Sequence, residues 1–215
     1  DLPTNQEYLD AFEKAKEGIK AAGFGLGQAV LSQSFLRTEV TLNTNSTLYQ
    51  FPVLVNDNFA GPVTSTSTLL NLQDAFYVSE MALLFAAPSS TTDAAFPLVT
   101  YPNSTQFPGA GEADALYTFY NGKMTLTVNN RQIVPAWDLY RHYWVGQTQE
   151  NAPILDQNDG SSSAFVPVEP GLVLVGSKQN QLQIQLPAAL AAVTANSRAV
   201  IIFRGHLAQN VTSVR

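Results

Sequence analysis

The 215-residue chain contains no cysteine. No disulfide framework, zinc–thiolate site or thiol nucleophile can be built from it, and any redox compartment suits it. Charge is scarce too: only 13% of the residues are Asp, Glu, Lys or Arg, about half of the roughly 25% usual in soluble domains. The formal net charge is -6, and the eleven cations are scattered singly. No basic tail or stripe offers the counterion release that drives nucleic-acid binding. Histidine, the usual general base near neutral pH, occurs only at His142 and His206. The longest apolar runs, Met81 to Ala87 and Ala188 to Val193, fall far short of the roughly 18 residues of a membrane helix. No signal peptide is visible, and the first residue is Asp1 rather than Met, the pattern of a chain whose upstream piece was removed or left out.

Neutral polar residues replace the missing charge: Ser, Thr, Asn and Gln together number 63. An apolar content of 45% with 22 aromatics is enough to offset the entropy of ordering a chain, so a folded domain is expected rather than disorder. The length fits one large domain, or one domain and an arm.

Residues 1–23 differ from everything after them and hold eight charges. Thr4-Asn5-Gln6-Glu7 reads as a capping box. Tyr8, Phe12, Ala15, Ile19 and Ala22 then recur at three- and four-residue spacing, which marks one apolar face. Glu13–Lys16 and Glu17–Lys20 are spaced to pair along the helix, and Gly23 supplies a stop. The spacing therefore predicts an amphipathic helix, with Tyr8, Phe12 and Ile19 as candidate interface residues. Gly23-Phe24-Gly25-Leu26-Gly27 follows. A nucleotide-binding glycine loop needs a strand before and a helix after; here the order is reversed, so a flexible joint is expected.

From residue 24 to 215 the pattern is that of strands. Leu36 to Leu42 and Gln181 to Leu186 alternate apolar and polar residues, which gives a strand one buried and one wet face. Leu48 to Val55, Phe76 to Ala86, Leu172 to Val175 and Ala199 to Phe203 are further strand candidates. Leu116 to Tyr120, Asn121-Gly122 and Lys123 to Val128 read as a hairpin, because Asn-Gly tolerates the positive φ of a type I′ turn. Asn129-Asn130 offers a second turn into Arg131 to Val134. Turn-rich stretches at Asn56 to Pro62, Pro88 to Asp93, Pro102 to Glu112 and Gln147 to Ser163 separate these strands, and most of the prolines lie in or beside them. No alternation of strands with helices and no fixed-period repeat is visible. The expected fold is all-β, an antiparallel sandwich over 24–215 with an N-terminal helical arm over 1–23.

Little in the sequence points to catalysis. No Gly-x-Ser-x-Gly elbow surrounds a serine, and Gly122-Lys123 lacks the upstream glycine of a P-loop. Asp156-Gln157-Asn158-Asp159-Gly160 resembles a calcium loop, but its glycine is one position early and Pro167 stands where the bidentate Glu belongs. An Asx-rich turn is the better reading. Glu112 and Asp114 form an acid pair in a Gly-Ala loop, and glycoside hydrolysis would need such a pair at a defined separation in space. The sequons at Asn45, Asn103 and Asn210 are about as many as chance supplies, roughly two. No cofactor or metal is implied.

The densest feature is Trp137, Tyr140, Arg141, Tyr143 and Trp144, which gathers both tryptophans within eight residues. Trp, Tyr and Arg are enriched at interfaces, and aromatic faces stack on sugars. Trp137, Tyr140 and Trp144 are therefore candidate contact residues; burial in the core is the plain alternative. The spacing suits a helix as well as a strand.

The run Phe119-Tyr120-Asn121-Gly122-Lys123 through Asn129 to Asp138, ending Gln147-Thr148-Gln149, resembles a segment of bacteriophage virion proteins. So does Val200-Ile201-Ile202-Phe203-Arg204-Gly205-His206. The likeness is to jelly-roll structural proteins of tailed or lipid-containing phages, including the crAss-like group, and covers about residues 120 to 215. It implies a jelly-roll β-sandwich and a non-enzymatic capsid, vertex or accessory subunit located in the virion. Such a subunit would partner copies of itself and other virion proteins. It carries over no functional residue. A surface poor in charge agrees with assembly, since charge is depleted at interface cores, and an amphipathic arm can dock on a neighbour or on its own sandwich. A carbohydrate- or ligand-binding sandwich using the Trp137–Trp144 cluster is the second reading, and an extracellular hydrolase on a β scaffold the third.

Overall fold

The computed structural model describes residues 5–53, 70–88, 98–102, 107, 109–145, 164–177 and 180–213. Its first element is the helix α1 (Asn5–Ala21). Helical spacing puts Ala15 and Ile19 on one side, and both are fully buried, while Lys16 and Glu13 pair 2.9 Å apart on the wet side. The helix ends where the amide of Gly23 donates to the Lys20 carbonyl. The capping box begins at Thr4, outside the described residues.

Among the described residues, eight longer strands follow as two four-stranded antiparallel sheets. The first sheet has the order β2 (Val30–Thr41), β9 (Arg198–Gln209), β4 (Ala75–Ala86), β7 (Val166–Val175). The second has the order β3 (Leu48–Val53), β8 (Asn180–Gln185), β5 (Lys123–Val128), β6 (Arg131–Asp138). Apart from the β5–β6 hairpin, consecutive strands along the chain lie in opposite sheets. β5 and β8 alternate buried and accessible residues, as expected of strands with one face on a core. Leu36, Phe51, Leu83, Phe85, Met124, Leu126, Leu182, Ile184, Ile201 and Phe203 meet between the sheets.

β4 does not alternate. Nearly all of it is buried, because the outer face of the first sheet is covered as well. At one end α1 lies over Ala75, Tyr77 and Ala208. At the other, Ala164, Phe165 and Leu98 cover Ala82, Leu84 and Val200. A strand covered on both faces reads as a continuous apolar run, which is how Phe76 to Ala86 appears in the sequence. Gly18 explains how α1 comes so close. A Cβ there would lie 2.5 Å from the Tyr77 ring, so the cost of a mid-helix glycine, roughly 0.5–1 kcal/mol, is offset by close packing.

Two expectations are overturned. Residues 116–120 are not a strand: they belong to the helix α2 (Glu112–Tyr120), and Asn121 is its cap rather than a hairpin turn. Leu116, Phe119 and Tyr120, with Ala115, are buried at helical spacing, and the β-formers among them hid that period. The tight hairpin is the next one, β5–β6, where Asn129 and Asn130 have φ of 52° and 61°, the positive pair a type I′ turn requires. The glycine-rich segment is not a free joint either. Its strand β1 (Phe24–Gly25) pairs with β10 (Thr212–Ser213), pinning the exit of α1 to the far end of the chain. Asn56 to Pro62, Gln147 to Ser163 and most of Pro88 to Asp93 lie outside the described residues.

Candidate functional site

Strand β6 ends at Trp137 and Asp138, and a 3-10 turn, Leu139–His142, follows at once. The Asp138 carboxylate caps this turn by accepting the Tyr140 amide at 3.0 Å. The turn sends Leu139 and His142 inward and Tyr140 and Arg141 outward. Trp137 then donates its Nε1–H to His142 Nε2 at 3.0 Å, with the two rings stacked at 29° and the Arg141 guanidinium 5.4 Å from the Trp137 ring centroid.

That geometry requires a neutral imidazole, since Nε2 must accept. Burial supplies the reason: His142 is 1% exposed, and desolvation holds its pKa at about 4, outweighing the Ala164 backbone and Asp138, which act to raise it. With Nε2 engaged and the ring sealed from water, His142 is a buried structural acceptor and offers no proton exchange with a solvent-borne substrate.

The open part of the corner is made of tyrosines. Tyr140 and Tyr143 stack at 17° with centroids 5.7 Å apart, and α2 brings Tyr117 so that its hydroxyl lies 3.5 Å from that of Tyr143. Tyr140 is 59% exposed and Tyr117 40%. Tyr120, fully buried beneath them, donates to the Thr100 carbonyl at 2.6 Å, and Thr100 donates to the carbonyl of Trp144 at the same distance. The hydrogen bond with Tyr117, helped by burial, pushes the Tyr143 pKa up to about 12. Tyr117→Phe should therefore move that titration down toward the ordinary tyrosine range, read as the alkaline absorbance change of tyrosinate. An unmoved titration would show that Tyr117 is not the cause.

The predicted contact residues fall in two places. Trp137, Tyr140 and Trp144 share the corner, but the tryptophans are half-buried and the exposed face is Tyr140's. Ile19 is fully buried against its own sheet, and Phe12 lies partly buried, its ring edge-on to His206 at 6.2 Å. Tyr8 lies in α1. Tyr117 went unnoticed in the sequence because its segment reads as a strand; the signal that could have placed it is the helical spacing of its buried neighbours.

The acid pair separates in role. Glu112 is buried and its carboxylate accepts the Thr194 amide at 2.6 Å, the Thr194 hydroxyl, and the Ser197 hydroxyl at 3.0 Å. It ties the start of α2 to the turn before β9. Glu112→Leu leaves the Thr194 amide and both hydroxyls without their acceptor, a loss of about 1–3 kcal/mol. Denaturant unfolding should show it, and an unchanged midpoint would argue against the clamp. A second buried carboxylate, Glu39, is held by Arg37 at 2.5 Å and Arg198 at 3.0 Å. A groove of about 790 Å³ opens between α1 and the β4–β7 edge, lined by Asp10, Lys14, Tyr77, Glu80 and Glu169 among others.

Among the described residues no group of three or more His, Asp or Glu side chains is arranged to hold a metal ion, and no helix is long and apolar enough to cross a membrane. The calcium-like loop at Asp156 to Gly160 and the sequon at Asn103 lie outside the described residues; Asn45 and Asn210 are exposed. No protein-family model, curated protein or solved structure matches the chain.

Proposed function

We propose that this chain is a non-enzymatic structural subunit of a virion, with a jelly-roll sandwich that assembles with copies of itself or with other capsid proteins. The strand order carries the reading. Two sheets ordered β2-β9-β4-β7 and β3-β8-β5-β6, with the chain switching sheets at almost every connection, are what two interleaved Greek keys produce, an arrangement used by capsid subunits and also by lectins. The edges support it further. Val30 and Phe35 on β2 and Leu48 on β3 are exposed along adjoining edge strands, and edge strands carry unpaired backbone groups that another chain can meet. Light scattering at micromolar concentration tests this: a defined oligomer well above the 23.3 kDa chain mass is the expected result, and Phe35→Lys should reduce it. A monomer at every concentration, with virion partners absent or present, would overturn it.

The second reading, a glycan- or ligand-binding sandwich, is favoured by one observation, the exposed Tyr140 ring held flat on Tyr143. In that case a glycan should change the fluorescence of nearby Trp137, and Tyr140→Ser should abolish the change.

A further inference from the structure

We propose that α1 is an acid-released latch, seated over a neutral His206 on the outer face of the first sheet and let go when that ring is protonated. The seat is small. Ala15 and Ile19 are buried against Ala75, Tyr77, Ala208 and Val211, and Phe12 meets the edge of the His206 ring. Beside it the groove along β4 and β7 leaves one flank of the helix open. Beneath it, His206 Nδ1 is buried without a hydrogen-bond partner.

A proton on that ring would be buried beside apolar carbon, and burial lowers the ring's pKa while α1 is seated. With α1 lifted, the ring regains water and its ordinary affinity. The state that binds the proton better is therefore the released one, and falling pH must favour it, tenfold for each unit by which seating lowers the pKa.

The neighbouring charges do not reverse this. α1 presents Lys16, whose ammonium sits 5.2 Å from the Phe12 ring centroid, with Glu13 already paired to it. β4 places Tyr77 opposite His206, and Glu80 opposite Arg204. β2 places the neutral Gln33 opposite, and β9 itself carries Arg204 two positions away. Among the described residues no carboxylate forms an ion pair with the ring. Release would bare Ala15 and Ile19 for another surface to cover.

Hydrogen exchange of the α1 amides at pH 7 and pH 5, corrected for intrinsic rates and referenced to β8, tests the latch in the full chain. Protection of α1 should fall several-fold at pH 5 while staying below that of β8, so that it reports opening of the helix short of global unfolding, and His206→Gln should remove that fall. An equal fall in the variant, or no fall in the native chain, overturns the proposal. A reciprocal measurement decides it even if the Gln variant does not fold. Ile19→Asn, which unseats α1 without adding a charge beside the ring, should raise the NMR-titrated pKa of His206 toward its ordinary value; an unmoved pKa overturns the latch as well.

Discussion

Gly205→Ala should leave little folded protein, a loss of about 4 kcal/mol or more, at the extreme of single substitutions. β4 and β9 pair over almost their whole lengths, but the register slips between Val78 and Glu80. The slip draws Tyr77 and Gly205 together until a Cβ on residue 205 would stand 1.8 Å from the Tyr77 carbonyl oxygen. The obstacle is backbone in the middle of the sheet, so no side-chain rotation relieves it, and separating the strands costs ladder hydrogen bonds and the packing on both faces. The Ser79 hydroxyl also donates to the Arg204 carbonyl at 3.2 Å within this irregularity. Soluble yield and thermal unfolding by circular dichroism measure the effect, with Gly27→Ala, where nothing lies within 4 Å, as a benign companion. Native-like unfolding of the Gly205 variant would mean that the strands approach less closely than described.

Acid should destabilise the protein through His142. In the unfolded chain its imidazole protonates near 6.5, and in the folded chain only at about 4. The stability tied to the neutral ring is thus whole above pH 6.5, falls as the pH drops from 6.5 to about 4, and is fully lost below. At roughly 1.4 kcal/mol per pKa unit the loss is about 3 kcal/mol. His206, shifted in the same direction by burial, adds to it. Urea unfolding at pH 7 and pH 4 should show a smaller pH effect in His142→Gln than in the native chain, since glutamine can still accept from Trp137 and does not titrate. A C2–H resonance of His142 that titrates between pH 6 and 7 would defeat the argument.

Acid sensitivity of this kind was hidden in the sequence. His142 stands among aromatic residues whose spacing suits a helix or a strand equally, and nothing local says that a strand ends at Asp138 and folds the imidazole back under Trp137. Glu112 was obscure for a related reason: its partners, Thr194 and Ser197, lie some eighty residues away in sequence. The tyrosine corner depended on α2, whose Tyr-Thr-Phe-Tyr sequence suits strands by residue type and a helix only by its buried period.

What the sequence determined by itself is the set of elements whose causes are local. The apolar face of α1, the alternation of β2, β5 and β8, and the paired Asn129-Asn130 turn of β5–β6 each follow from a few adjacent residues and their backbone preferences. An antiparallel sandwich is the sum of those parts. Tertiary structure alone decided the order of strands in each sheet, the burial of β4 on both faces, and the seating of α1 on its own sheet. Those outcomes depend on which distant surfaces exclude water together, and such complementarity leaves no periodic trace along the chain.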